Sequence, residues 1–595
     1  MQRLERRRQV DQLALTPRAA NTLDKTPQSL VVGPASEVLS RNWQPNGVLL
    51  IVGAIGAVTR LIAPLLIGKD KDPAVIVLDA HGKHVVPLLG GHQAGAEQLA
   101  MELAAELGGH AVLTGDANSQ NRLALDSFGE SWGWRRSGSR DNWNQLMLSQ
   151  AQGGKLLLLQ RSGATFWQTT AAAQEVFDAN ANANGDRARP AQLNIGPQSS
   201  MSSCSWHPAI LWIGIGCERD TSLSLLERAV AAALAEAGLA PEAVAGLASI
   251  DQKANETALL ALAQAKDWPV RFFNADALAE VEVPTPSAVV AKAMGTYSVA
   301  EAAALLAASN KGTLLQPKQI HHAQNAEHGA ATIAISKANQ PFAPQRGELH
   351  LIGSGPGDLA FLTHDARAAL ARSAIWVGYG LYLDLLEPLR RQDQARLDGQ
   401  LTRERDRCLK ALELAEQGAR VALISSGDSG IYGMAGLALE LWLTKPPSDR
   451  PDFQVHPGLS ALQLAAAKVG APLMHDFCSV SLSDRLTPWS KIETRLKSAA
   501  SGDFVVALYN PRSQERDWQL TRALELLLEH RAPSTPVVVA RQLGRAQEDI
   551  QLHTLQTMPV KEVDMLTIVL IGNSSSRLQD NHVVTPRGYP GAELA

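Results

Sequence analysis

The chain has few cysteines, few aromatic residues and little charge. Its four cysteines, at positions 204, 217, 408 and 478, are far apart in its 595 residues and form no C-x-x-C pair. This spacing argues against a disulfide framework and against a structural zinc site. We therefore predict reduced thiols in a cytoplasmic protein.

Charge and long apolar runs are also scarce. Charged residues make up 19% of the chain, with a formal net charge of -4, against about 25% charged residues in typical domains. This near balance argues against a dedicated nucleic-acid-binding protein, which would carry a basic field. The longest apolar run, 47–59, ends at Arg60, whereas a membrane span needs roughly 20 residues. We interpret the run as a buried strand and turn of a soluble domain, and predict no membrane association.

Strand-like and helix-like segments alternate along the chain, which predicts a multidomain α/β protein. Two short strands (74–79 and 84–89) flank a glycine-containing turn and precede a helix over 95–107. A mainly parallel sheet is predicted for 207–338. The predicted divisions are a divergent segment 1–45, an α/β domain 46–178, a linker 179–206, a second domain 207–338, a short linker 339–346, and a third α/β region 347–592.

A glycine-rich loop follows the first strand of that third region. Glycines in Gly353-Ser-Gly355-Pro356-Gly357-Asp358 let the backbone turn tightly and approach a ligand closely. The dinucleotide fingerprint requires G-x-G-x-x-G entering a helix, and Pro356 interrupts that pattern. A nicotinamide-binding domain is therefore excluded.

Six ordered motifs between 347 and 592 resemble the tetrapyrrole methylase family. They are GSGPGDLAFLTHDA (353–366), SSGDSGIYGMA (425–435), HPGLSALQLAAAKVGAPL (456–473), SLSDRLTPW (481–489), LYNPRS (508–513) and VTPRGY (584–589). Together they resemble the branch that methylates C17 of precorrin-3B or cobalt-precorrin-3. The resemblance implies a two-lobed class III methyltransferase fold, S-adenosylmethionine as cofactor, a tetrapyrrole substrate and a homodimer. Ser429 departs from the family, where many members have proline, but the backbone is expected to carry cofactor binding.

The same resemblance implies which residues form the site. The cofactor side would contain Pro356, Gly427, Asp428, Gly430, Ile431, Ser460, Ala461, Tyr509 and Thr567. The substrate side would contain Tyr379, Ser483, Asn510, Arg512 and Arg541, with Asp358 and Asp484 as catalytic candidates. Because the substrate carries many carboxylates, Arg485 and Arg545 are further candidates, although exposed arginines more often bind nothing. Asp358 is equally well explained as a turn cap. Asp484 and His364 are the only residues we offer for the proton transfers of ring contraction.

The N-terminal half resembles the cobalt-precorrin-5A hydrolase family, which opens a δ-lactone and releases acetaldehyde. The matching stretches are 53–100, 214–222, 249–263, 297–308 and 314–319. Lactone opening needs an activated nucleophile and oxyanion stabilisation. His92, between Gly91 and Gly95, is the catalytic candidate, with a turn-capping role as the alternative. Residues 90–97 depart from the family pattern, which could weaken hydrolysis.

Other polar residues of this half are given structural roles. Cys217 is expected to be a buried thiol rather than a nucleophile. Lys253 and Glu256 are expected to face solvent at a helix start, with binding of substrate carboxylates as the alternative. His321, His322 and His328 are assigned to a polar loop, where a metal site is not expected. No resident metal is predicted, since cobalt would arrive inside the substrate.

The leading hypothesis is a bifunctional enzyme of corrin biosynthesis that combines C17 methylation with lactone hydrolysis. The alternative is a methyltransferase fused to an inactive corrin-binding or carrier module. A methylase acting on another carbon is disfavoured by SLSDRLTPW and LYNPRS. Whether cobalt enters before or after this step stays open.

Overall fold

The structure is a computed structural model of the chain. It describes residues 12–17, 30–45, 47–68, 71–90, 96–113, 123–177, 191–200, 203–309, 312–400, 403–513 and 515–592. His92 and most of the 90–97 motif lie outside the described residues.

The first part of the chain forms a four-stranded sheet preceded by a parallel pair of short strands. The strands are β1 (Leu13–Leu15), β2 (Leu30–Val32), β3 (Val48–Val52), β4 (Ala74–Leu78), β5 (His84–Leu89) and β6 (His110–Ala111), and the helices are α1 (Ala35–Arg41), α2 (Ile55–Ile62) and α3 (Ala96–Leu107). The sheet order is β3-β4-β5-β6. The predicted strands in 74–79 and 84–89 and the helix in 95–107 are confirmed. The apolar run 47–59 was expected to be buried, but β3 is an edge strand, and Val48 and Val52 are half exposed.

A second, tryptophan-rich sheet follows. Its elements are β7 (Arg135–Ser137), α4 (Arg140–Ala151), β8 (Leu157–Gln160), α5 (Ala171–Val176), β9 (Gln192–Ile195) and β10 (Cys204–His207), in the order β7-β10-β9-β8. Strands β9 and β10 lie where a linker was expected. Their polar composition is typical of a linker, but contacts with residues distant in sequence bury them as strands. Trp206 donates to the Leu125 carbonyl, and His207 contacts Ser137 and Gly196.

The third sheet is mixed rather than mainly parallel. Its elements are β11 (Leu211–Cys217), α6 (Leu223–Glu236), β12 (Val244–Ile250), α7 (Thr257–Lys266), β13 (Val270–Phe273), α8 (Ala275–Ala279), α9 (Ala288–Met294), α10 (Val299–Ala307), β14 (Thr313–His322) and β15 (Ala330–Lys337). Strands β11 to β13 are parallel, while β14 and β15 form an antiparallel hairpin beside β11. A short turn joins these two strands, so no crossover helix can make them parallel. His321 and His322 lie on β14, and their assignment to a polar loop is wrong.

The fourth sheet, called here the parallel sheet, opens the C-terminal region. Its elements are β16 (Glu348–Gly353), α11 (His364–Arg372), β17 (Ile375–Tyr379), α12 (Gly380–Leu386), β18 (Ala395–Gly399), α13 (Glu404–Glu416), β19 (Arg420–Ser425), α14 (Ala435–Leu443) and β20 (Asp452–His456). All four pairings in the order β18-β17-β19-β16-β20 are parallel. The carboxyl ends of these strands therefore meet at one edge, where loops form ligand sites.

The fifth sheet, called here the mixed sheet, completes the chain. Its elements are α15 (Ala461–Val469), β21 (Gly470–Ala471), β22 (Phe477–Ser481), α16 (Trp489–Ser501), β23 (Val505–Tyr509), α17 (Gln519–Leu528), β24 (Pro536–Arg541), β25 (Asp549–Thr554), β26 (Thr567–Ile571), β27 (Arg577–Gln579) and β28 (His582–Val584). The main strands are ordered β22-β23-β26-β24-β25. The parallel and mixed sheets give the two lobes expected of this region.

The N-terminal sheets pack directly on the parallel sheet. One hydrophobic core contains Trp206 of β10 and Trp167 of the segment between β8 and α5 together with Leu349 and Val421 of the parallel sheet. Helix α3 packs on α11, and a Cβ added at Gly108 would lie 2.6 Å from the His364 ring. Among the described residues no single helix is long and apolar enough to cross a membrane, although the bent pair α9–α10 passes that length and composition test together.

Candidate cofactor and substrate cleft

Three loops meet at the carboxyl edge of the parallel sheet. Gly355 and Gly427 exchange backbone hydrogen bonds of 3.1 and 2.8 Å, which join the loops after β16 and β19. A Cβ added at Gly353 would lie 2.5 Å from the Gly458 nitrogen, so the loop after β20 packs against both. Glycine is required here because backbone meets backbone. The predicted glycine motifs are thus brought together.

Asp428 ties two of these loops. Its Oδ1 accepts from the Gly430 backbone at 2.8 Å, and its Oδ2 accepts from the Gly458 backbone at 3.0 Å. A carboxylate that accepts two N–H groups fixes loop geometry more strongly than a neutral acceptor. The structural role of Asp428 is therefore to hold the second and third loops in register.

Ser460 begins helix α15 with a capping box. Its Oγ accepts from the Gln463 backbone, while the Gln463 side chain accepts from the Ser460 backbone. The Tyr509 hydroxyl, from β23 of the mixed sheet, accepts from the Leu462 backbone at 3.3 Å. Burial raises the pKa of Tyr509, so this hydroxyl stays neutral. The α15 start therefore links the two lobes.

Tyr432 is a site residue that our sequence-based selection omitted. It has a positive φ of 54°, its ring centroid lies 5.1 Å from that of Tyr509, and its hydroxyl donates to the Ser479 carbonyl at 3.0 Å. Ile431 and Tyr432 remain 40% and 51% exposed. Only the motif GIYGMA in the sequence pointed to this position, and the ring pairing depends on the second lobe.

The cleft chemistry fits the implied cofactor. Apolar Ile431, the aromatic pair Tyr432 and Tyr509 and the α15 N-terminus border the glycine loops, which suits an adenine together with a carboxylate. The Ser429 hydroxyl is fully buried, with no hydrogen-bond partner among the described residues. It lies one residue from Asp428, within the same loop.

The first glycine loop reaches the mixed sheet through Arg545. The Arg545 Nε donates to the Pro356 carbonyl at 3.4 Å, and its guanidinium lies 6.0 Å from the Tyr382 ring. Burial lowers the pKa of Arg545, although an arginine remains charged at neutral pH. The neighbouring Tyr379 ring lies 5.3 Å from Tyr382. Tyr379 and Arg545 are therefore joined at the edge of the cleft through Tyr382.

Asp358 is exposed and caps a short helical turn. Its Oδ1 accepts from the Ala360 backbone at 2.8 Å. The turn-cap alternative is thus confirmed, and it leaves the other carboxylate oxygen available to a ligand. Asp484 instead lies in the loop after β22, where its Oδ2 accepts from Gln519 at 3.0 Å.

Two further clusters collect predicted substrate residues. Ser481 Oγ accepts from Asn510 Nδ2 at 3.1 Å and from the Ser483 backbone at 3.3 Å. Arg541 Nε donates to Asp564 Oδ2 at 2.7 Å, and Thr567 donates to the other oxygen of Asp564 at 2.8 Å. Asp564 had no signal in the sequence. Its ion pair holds the Arg541 guanidinium in place at the end of β24.

The remaining arginines differ in their surroundings. Arg512 Nη1 donates to the Lys561 carbonyl at 2.7 Å. Arg485 pairs with Glu515 at 2.9 Å, and both side chains are more than half exposed. The Arg485 contact is a surface ion pair of small energetic weight, which favours the non-binding interpretation of this residue.

The third sheet places other candidates at the ends of β11 and β12. Lys253 and Glu256 were expected to face solvent, but they are only 8% and 4% exposed and pair at 3.3 Å. The Asp220 backbone donates to Glu256 at 3.0 Å, so a turn after β11 covers the pair. Burial raises the pKa of Cys217 to about 11, consistent with a structural thiol.

Comparisons with known proteins were made after this geometry was established. Residues 348–559 match the family described as tetrapyrrole (corrin/porphyrin) methylases. Residues 37–118 and 211–336 match the families described as cobalamin synthesis G N-terminal and C-terminus. The order of these segments agrees with the resemblances in both halves of the chain.

Three individual proteins define the similarity further. A probable cobalt-factor III C(17)-methyltransferase of Salmonella typhimurium is 47% identical over 241 residues, which are 40% of this chain and 99% of the relative. A cobalt-factor III methyltransferase of Priestia megaterium is 43% identical over 41% of this chain, covering 45% of the relative. A crystal structure of the methyltransferase CobJ is 38% identical, with a TM-score of 0.39, over 40% of this chain and all of that one. The chain therefore belongs to the tetrapyrrole methylase family, preceded by cobalamin synthesis G segments.

Proposed function

We propose that residues 347–592 form an S-adenosylmethionine-dependent methyltransferase that methylates C17 of precorrin-3B or cobalt-precorrin-3. The single observation that carries this proposal is the junction of three glycine loops, tied by Asp428 and closed by Tyr509. The 47% identity over 241 residues supports the choice of methylated carbon.

The residues of the cleft divide between positioning and charge recognition. When bound, the cofactor supplies an activated methyl group, so most of the catalytic work is alignment and exclusion of water. Asp428 fixes the loops on one side, and Tyr509 fixes the α15 start from the other. Arg545 contacts the first glycine loop at Pro356, and we assign Arg545 and Arg541 to recognition of the substrate carboxylates.

We assign proton transfer during ring contraction to two carboxylates. Asp358 is exposed beside Pro356, and Asp484 is held by Gln519. Both are retained as catalytic candidates. The proposed homodimer rests on the family resemblance.

Isotope transfer tests the methyltransferase proposal. The full chain is supplied with methyl-labelled S-adenosylmethionine and either substrate, and carbon NMR of the product locates the label. A label at C17 is expected, in a contracted macrocycle whose extruded ring carbon is still attached outside the ring. Folded protein that binds S-adenosylhomocysteine yet transfers no label to either substrate contradicts the proposal.

We further propose that the N-terminal segments open the δ-lactone of cobalt-precorrin-5A. The two cobalamin synthesis G matches support this second activity. The carrier alternative predicts binding without turnover. Acetaldehyde measured with a coupled alcohol dehydrogenase distinguishes them, and His92→Ala would abolish its release if His92 is the base.

A further inference from the structure

Four side chains form a continuous hydrogen-bonded relay inside the parallel-sheet lobe. Glu348 Oε2 lies 2.8 Å from His350 Nε2, and His350 Nδ1 lies 3.0 Å from His456 Nε2. His456 Nδ1 lies 2.9 Å from Asp365 Oδ2. The two imidazoles are only 1% and 7% exposed. The cleft described above makes no use of this Glu–His–His–Asp relay.

The relay runs between the sheet and the helix that covers it. His350 and His456 lie on the adjacent strands β16 and β20, and Asp365 lies in the first turn of α11. At the other end, Arg372 and Arg420 contact Glu348 at 2.7 and 3.3 Å. These two guanidinium groups fix that carboxylate as an anion.

The opposite end of the relay borders a large cavity between the N-terminal sheet and the parallel-sheet lobe. The cavity has a volume of about 1430 Å³ and is lined by Asp365 and His456, together with Glu102 and Glu106 of α3. In the described part of the chain, the charged groups around the imidazoles are Glu348 on β16, Asp365 and Arg372 on α11 and Arg420 on β19, with the two glutamates of α3 lining the same cavity. Proton exchange with solvent would occur at the Asp365 end.

Counting protons fixes the charge of the relay. With both carboxylates ionised, each of the three hydrogen bonds needs one proton, and all three protons must reside on the two rings. Two neutral imidazoles carry only two protons, so one ring is an imidazolium. His350 is the more deeply buried ring, and its partner Glu348 is already paired with Arg372 and Arg420. Burial lowers the pKa of His350, although its bond to Glu348 opposes this shift. The charge therefore belongs on His456, beside Asp365, with neutral His350 accepting the central hydrogen bond.

His456 is connected to the cofactor loop by the chain itself. It is followed by Pro457 and Gly458. Gly458 donates to Asp428, and the Pro457 carbonyl accepts from Thr363, one residue before α11. A shift of His456 would move the Gly458 donor that Asp428 holds.

We propose that His456 is a positioning residue for the cofactor loop, and that the proton it shares with His350 makes cofactor affinity depend on pH. This inference rests on the proposed function of the cleft. Loss of the proton as pH rises leaves two nitrogen lone pairs facing each other. Gain of a second proton as pH falls leaves two N–H groups facing each other. Either change removes the central bond, so affinity is highest between these limits.

NMR of the full chain labelled with ¹⁵N-histidine tests the proton count directly. At pH 7.5 both nitrogens of His456 should carry protons, whereas an ordinary histidine, with a pKa of about 6.5, is mostly neutral. Comparison with the spectrum of the His456→Asn variant assigns its signals. A neutral His456 with one protonated nitrogen at this pH overturns the proposal. The protonation state is measured on the wild-type protein, and the folded variant serves only to assign the His456 signals.

Calorimetry with S-adenosylhomocysteine between pH 6.5 and 9 tests the consequence. Wild-type affinity should exceed that of His456→Asn by about tenfold near pH 7, as one charge-assisted hydrogen bond implies, and the two should converge as pH rises. The exposed control His530→Asn should retain the wild-type profile. A constant ratio between wild type and His456→Asn across pH overturns the inference while leaving the proposed function intact. Absence of binding at every pH refutes the proposed function, and the NMR result still decides the state of the relay.

Discussion

Asp428 offers the sharpest test of how the cleft is built, through the isosteric change Asp428→Asn. The carboxylate accepts from Gly430 at 2.8 Å and from Gly458 at 3.0 Å. Asparagine keeps one acceptor oxygen but turns an NH₂ group toward the other backbone N–H. At least one charge-assisted hydrogen bond is lost, and such bonds contribute about 1.5–3 kcal/mol.

That loss predicts a 10- to 150-fold rise, roughly, in the dissociation constant for S-adenosylhomocysteine. Calorimetry on the full chain at pH 7.5 measures it, with circular dichroism to verify folding. Asp580→Asn is the matched control, because Asp580 is exposed and has a positive φ of 49°, which asparagine tolerates. A folded Asp428→Asn protein with less than about a twofold change in affinity would refute the role of Asp428 in holding the loops.

Three other predictions follow from individual contacts. Tyr509→Phe removes the acceptor of the Leu462 N–H but keeps the ring, so calorimetry should show about fivefold weaker cofactor binding; unchanged affinity would contradict the link between lobes. Buried contacts with His350 and two arginines lower the pKa of Glu348 from 4.5 to about 2. Its contribution of about 3 kcal/mol is complete above pH 4.5 and lost as pH falls toward 2, so thermal unfolding of Glu348→Gln should vary less with pH over this range than that of wild type. Burial raises the pKa of Cys217 to about 11, so only about 0.1% of it should be thiolate at pH 8. Mass spectrometry should therefore find Cys217 alkylated far more slowly than a free thiol. Rapid labelling would exclude the buried structural role.

Elements with strong local signals were predictable from the sequence. The loops after β16 and β19 require glycine because two backbone segments approach closely there. Ser460 and Gln463, three residues apart, form a capping box that marks the start of α15. Apolar runs bounded by turn residues fixed β23 and β24 in the same way. Such features depend on a few neighbouring residues, so a single sequence displays them.

Features that depend on distant partners were not predictable. Strands β9 and β10 have the polar composition of a linker. They are nevertheless ordered strands, because Trp206 of β10 packs against the rings of Phe128 and Trp143. Lys253 was expected to face solvent, but the turn after β11, which is distant in sequence, buries it with Glu256.

The sequence by itself therefore determined the family, the order of the segments and the loops that form the cleft, since these lie in contiguous motifs. Only the tertiary structure decided the pairing of Tyr432 with Tyr509 and of His350 with His456. The histidines are 106 residues apart, and nothing near either one in the chain specifies the other. Their shared environment exists only after β16, β20 and α11 have packed together and excluded water.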